Sequence, residues 1–220
     1  MILLGALLVS VAFGGGGSPA AVEPPSLATW ADLCDRPSHW LGKTVRLRIQ
    51  FHDRVETWNP YLTRFGPRRF VAVQAWADEQ VPWIKEEFDA PAVRVFLKRG
   101  EASEWALGEA QQGARFELTV VVREVFLDLP WTEVIEVLPL PERIPEGTVI
   151  HASKARELME QKSWKLAELE IDQACTDGLP AHAREELERL RATCREGLAT
   201  ERRPRSTPRD ARRDAPSREL

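Results

Sequence analysis

TVRLRIQF, the stretch from Thr44 to Phe51, decides how this chain folds. Val45, Leu47, Ile49 and Phe51 fall on one side of it, and Arg46, Arg48 and Gln50 on the other. Successive side chains of a strand point to opposite faces, so this alternation marks a half-buried β-strand. Reading outward, Trp58 to Arg69 is a loop rich in aromatic residues, Pro and Arg. A second strand is predicted from Phe70 to Trp76, and a third from Ala92 to Lys98 with Val93, Val95 and Leu97 alternating. Glu101 to Gln111 reads as a helix with Ala102, Trp105, Ala106 and Ala110 on its inner face and Gly113 ending it. The fourth strand, Arg115 to Val125, alternates Phe116, Leu118, Val120 and Val122, and the fifth runs from Trp131 to Leu138.

Three strands, a helix and two strands, entered through Gly42-Lys43-x-Val45, resemble the OB-fold, a five-stranded Greek-key barrel. The resemblance covers about Leu41 to Leu140 and lies in layout rather than in a diagnostic motif. The long stretch from Trp76 to Pro91 departs from it, since a tight hairpin usually joins strands two and three. The fold class expected is α+β, with a helix between strands 3 and 4 of the barrel and a C-terminal helical hairpin beyond it. A generic open α+β sheet is the alternative.

Past the barrel the period changes to that of helices. Ala152, Ala155, Leu158 and Met159 fit one short helix. Ala167, Ile171, Ala174 and Cys175 fit a second, with Ser163 as its N-cap. Asp177-Gly178-Leu179-Pro180 stops that helix and starts another, whose apolar stripe is Ala183, Leu187, Leu190, Cys194 and Leu198. The spacing of Trp164, Ala167 and Ala174 resembles a tetratricopeptide helix pair. Too few units are present to stand alone, so this segment is expected to pack on the barrel or on a partner. The organisation expected is a signal peptide (1–21), a lead-in (22–40), the barrel (41–148), the helical segment (149–199) and a disordered Arg- and Pro-rich tail (200–220).

ILLGALLVSVAF at residues 2–13, followed by Gly14 to Gly17 and Ser18-Pro19-Ala20-Ala21, has the layout of a secretory signal, although no Lys or Arg precedes it. It is shorter than the roughly 20 apolar residues of an unaided membrane span. Export to the periplasm or beyond the cell is therefore expected, with a membrane tether if the segment stays uncleaved. Any transient membrane association is expected through this segment alone. The net charge of -4 is uneven, because seven Arg give the last twenty residues a positive balance and leave the remainder more acidic. An acidic body is a poor non-specific partner for phosphate backbones, so nucleic acid is not the expected ligand. Cys34, Cys175 and Cys194 form no disulfide framework. Cys194 lies ~20 Å along its helix at 1.5 Å rise per residue, too far to bridge Cys175. Cys34 could pair with either, but all three read best as small buried apolar residues.

Motifs for catalysis are weak. Gly42-Lys43-Thr44 lacks the earlier Gly of a phosphate loop and leads into a strand instead of a helix. Cys34, Asp35, His39, His52 and Asp53 match no metal-ligand spacing and read as turn and strand-end residues. His151 and His182 read as solvent-facing at helix starts. No cofactor and no enzyme activity are expected. The candidate site is the loop after strand one, with Trp58, Tyr61, Arg64, Phe65, Arg68 and Arg69, facing the apolar Phe126–Pro130 loop at Leu129. Rings that stack and Arg forks that grip carboxylates or phosphates suit a protein, a polysaccharide or another anionic polymer of the cell envelope. The same residues could instead merely cap the barrel mouth. The functional expectation is an exported adaptor, and the alternative is an intracellular OB-fold nucleic-acid binder.

Overall fold

The computed structural model describes residues 25–55, 58 and 63–202. The segment read as a signal, Tyr61 and residues 203–220 of the Arg-rich tail lie outside them, whereas 200–202, expected to be disordered, are helical. The described chain is mixed α+β, built on a closed five-stranded barrel. Two short helices, α1 (Trp30–Asp35) and α2 (Pro37–Trp40), lead into β1 (Thr44–Val55). Then follow β2 (Phe70–Ala77), α3 (Lys85–Phe88), β3 (Val93–Lys98), α4 (Ala102–Gly108), β4 (Arg115–Phe126) and β5 (Leu129–Pro139). Three helices complete the order: α5 (Glu146–Glu160), α6 (Trp164–Ala174) and α7 (Ala181–Arg202).

The strands close in the order β1-β2-β3-β5-β4, with β3 and β5 parallel and every other pair antiparallel. Alternation fills the interior as the sequence predicts. Val45, Leu47, Ile49, Val93, Val95, Leu118 and Val120 are all buried in one cluster. Each such side chain contributes about 1.5–3 kcal/mol relative to exposure. Helices plug both ends: Trp30 and Leu33 of α1, which precedes β1, and Leu107 of α4, which follows β3, join the same cluster. At α1 the Thr29 hydroxyl accepts from the Asp32 N–H while the Asp32 carboxylate accepts from the Thr29 N–H, a reciprocal cap.

Several expectations need correction. The inner face of α4 carries Ser103 and Leu107, whereas Trp105 is 69% exposed. Ala102 and Ala106 are exposed with it, and of the expected face only Ala110, beyond the helix, packs against the barrel core. Gln50 shares the outward face of Arg46 and Arg48 as expected, yet it is fully buried there. The connection after β2 covers it, and its amide donates to the Gln80 carbonyl. Cys194 is buried, but Cys34 is only partly so and Cys175 is exposed. His182 is not solvent-facing, since its Nε2 is buried without a partner, and His151 pairs with Glu170 at 2.8 Å. Ser163 stands at the N-cap of α6 without making the side-chain bond.

The long β2–β3 connection has a structural purpose. It sends Trp83 into a second core with Ile144, Ala152, Ala155, Ala167, Ile171, Leu187 and Cys194. The helices α5, α6 and α7 therefore cover their stripes against each other and against this one indole. Arg115 at the start of β4 ties the same junction, bonded to Asp78 just after β2 and 3.6 Å from Glu142 just after β5.

Candidate functional site

The outer faces of β2, β3 and β5 carry the candidate site. Outward side chains on β3 are Arg94, Phe96 and Lys98, and on β5 Leu129, Trp131 and Glu133, with Phe96 opposite Glu133 in the parallel register. The Phe96 and Trp131 rings stack across the two strands as an aromatic row, 5.2 Å apart at 12°. The loop after β1 returns across this row. Phe65 stacks on Phe96 at 4.2 Å and 5° and meets Phe70 edge-on. Trp58 packs its edge on Phe96 and donates its indole N–H to the Phe65 carbonyl at 2.7 Å. Phe65 is 0% exposed, so it offers no face to a ligand. This second apolar covering buries Phe70 and Ala72 on the outer side of β2.

The aromatic row separates two clefts. On the Lys98 and Glu133 side lies one of about 540 Å³, lined by Arg64, Phe65, Arg69, Phe70, Lys98, Arg123 and Glu133. Four cations from three parts of the fold, the loop after β1 and the strands β3 and β4, converge there. Arg123 pairs with Glu133 at 2.6 Å, Arg64 with Glu124 at 3.5 Å, and Lys98 with Glu101. The Arg69 guanidinium lies 5.7 Å from the Phe70 ring centre and makes no ion pair among the described residues. On the Arg94 and Leu129 side lies a groove of about 190 Å³, with Gln74, Phe96, Leu129, Pro130 and Trp131 among its walls.

No known protein family and no curated protein matches the chain. The site must therefore be read from its own geometry.

Of the residues singled out from sequence, the structure brings Arg64, Phe65 and Arg69 to the basic cleft and sends Leu129 to the smaller groove. Arg68 is exposed and lines neither. The loop meets the hairpin through Thr63 and Arg64 on Glu124 and through Phe65 beside Trp131 rather than at Leu129. The expected apolar loop is instead a two-residue turn at Leu127 and Asp128, with Leu129 and Pro130 already in β5. Sequence reading missed Lys98, Arg123 and Phe70. Alternation places Lys98 outward on its strand, but only the closure of the barrel brings it to the cleft that Arg123 also lines. Arg123 sits in a bulge between Val122 and Glu124 that no pattern announces. Among the described residues no three His, Cys, Asp or Glu side chains converge as metal ligands would, and no helix is long and apolar enough to cross a membrane.

Proposed function

We propose that this chain is an exported, non-enzymatic adaptor whose barrel holds an anionic partner, a protein segment or a polymer of the envelope. The observation that carries the reading is the convergence of Arg64, Arg69, Lys98 and Arg123 on one open cleft of an otherwise acidic chain. Arg69 lies over the Phe70 ring without an ion pair among the described residues, which suits a carboxylate or phosphate fork. Charges of the acidic body discourage anion binding elsewhere and confine it to this cleft.

The strand order, the parallel β3–β5 pair and the helix between the third and fourth strands support an OB-like identity for the barrel. In such barrels the β2–β3 face is a ligand face, and the basic cleft borders it. Burial of Phe65 over Phe96 and Trp131 argues against the nucleic-acid alternative, because stacking with unpaired bases needs open ring faces. The helical segment, tetratricopeptide-like in its Trp164, Ala167 and Ala174 spacing, supplies a second contact surface. The compartment rests on the sequence of residues 2–21 alone.

The test is affinity for two anionic chains, poly-glutamate and a sulfated polysaccharide, over a salt series. Binding that weakens with salt and falls when Arg69 and Lys98 become Ala supports the reading. Equal affinity of wild type and variant for both chains would sink it.

A further inference from the structure

The tip of the β4–β5 hairpin and the groove beside it are complementary to one another. β4 pairs with β1 only as far as Val121, and β5 pairs with β3 only from Thr132. Glu124 to Phe126 and Leu129 to Trp131 consequently pair with each other alone, as an arm beyond the closed barrel. The arm turns through Leu127 (φ 51°) and Asp128 (φ 57°). This hand of turn matches the twist of a hairpin, but the residues that take it without strain are Asn and Gly. Here a Leu takes it, 77% exposed, with Leu129 51% exposed beside it. A large apolar side chain at a strained, solvated apex conflicts with local preference, and such conflicts concentrate where contact is made.

The groove next to the arm presents the opposite shape and charge. Its apolar walls include Phe96, Leu129, Pro130 and Trp131, and Arg94 stands at its polar edge. Arg94 is exposed and makes no ion pair among the described residues, and the same is true of Asp128. We infer that this patch is a self-association surface between two copies of the chain. Leu127 of each copy enters the groove of the other, and each Asp128 meets the other copy's Arg94. A second copy is the occupant that fits because knob and hole adjoin on one patch and share Leu129. That adjacency lets both contacts form at once about a two-fold axis. The contact is small beside the roughly 1,200–2,000 Å² of stable interfaces, so the dimer dissociates on dilution. It lies across the aromatic row from the basic cleft and does not depend on an anionic ligand.

Sedimentation velocity of the full chain over a wide concentration series tests this. Wild type should show a concentration-dependent dimer. Asp128→Arg or Arg94→Asp alone should weaken it by about tenfold or more, and the two together should restore it to within about threefold of wild type. Leu127→Gly should weaken association while raising the melting temperature, since glycine relieves the left-handed strain. A purely structural role for Leu127 would move both in the same direction. A wild type monomeric at every concentration overturns the inference. So does association indifferent to all these variants, as contact through the apolar N-terminal run would be, or a double variant no better than the single ones.

Discussion

Arg115 donates two hydrogen bonds to the Asp78 carboxylate, from Nε at 2.8 Å and from Nη2 at 2.9 Å, with only 6% of its side chain exposed. The pair joins the residue after β2 to the first residue of β4, where the chain leaves the barrel for the Trp83 connection. Removing one partner of a buried ion pair typically costs about 3–5 kcal/mol, because the other charge is left without compensation. Asp78→Ala should fall in the lower part of that range, since Glu142 remains 3.6 Å from the guanidinium. Adding Arg115→Met should recover much of the loss. Denaturant melts of the two variants would show it, and a double variant as unstable as Asp78→Ala alone would contradict the electrostatic account.

His182 lies at the same junction. Burial pushes its pKa down, Asp78 and Glu185 oppose that shift, and Arg115 adds to it. Glu142, Arg48 and Arg184 line the same cleft. A histidine depressed in the folded state takes up protons more readily when unfolded. Its contribution to stability is complete above the unfolded pKa of about 6.5 and is lost as pH falls below it. Melting temperature should therefore drop between neutral and mildly acid pH. His182→Gln should flatten that part of the profile, and identical slopes for variant and wild type would rule this histidine out.

Leu118 and Ile49 sit in the barrel core at 0% exposure. Truncating either to Ala removes buried methyl groups and leaves a cavity, at about 2–5 kcal/mol. Thermal melts superimposable on wild type would contradict the register that places both inside.

The helical unit has its own sensitive point at Gly197, where an added Cβ would overlap the ring of Trp164. Gly197→Ala should force that ring aside and destabilise the unit by about 1–3 kcal/mol, as overpacking does. A shift in Trp fluorescence together with a lowered melt is the expected signature. An unchanged spectrum would mean that the ring moves freely.

How much of this was legible depended on whether period or pairing carried the information. Val45, Leu47 and Ile49 announce β1 because apolar residues at every second place have few alternatives. The burial of Gln50 was hidden because it lies on the outward face and is covered only by the connection after β2, which brings the Gln80 carbonyl to its amide. On α4 the stripe of Ala102, Trp105 and Ala106 mimicked an inner face, yet the barrel end admits Leu107 and leaves the larger indole outside. In the candidate site Arg64 and Arg69 stood out because they share one loop. Lys98 and Arg123 did not, since they come from β3 and β4 and meet only through the closure of the barrel. Phe65 misled in the opposite way, because an aromatic residue in a polar loop reads as a ligand contact until the Phe96 and Trp131 rings beneath it are known.

The central claim is that the cleft of Arg64, Arg69, Lys98 and Arg123 holds an anionic chain. The most direct measurement is titration calorimetry with poly-glutamate at low and moderate salt, comparing wild type, Arg69→Ala with Lys98→Ala, and Arg68→Ala. Arg68 is exposed on the same loop but does not line the cleft, so it reports the effect of charge alone. The double variant should lose affinity by about tenfold or more and show a shallower salt dependence, with Arg68→Ala close to wild type. Equal losses in the two variants, or none in either, would contradict the claim and leave only a diffuse charge effect or no anion site.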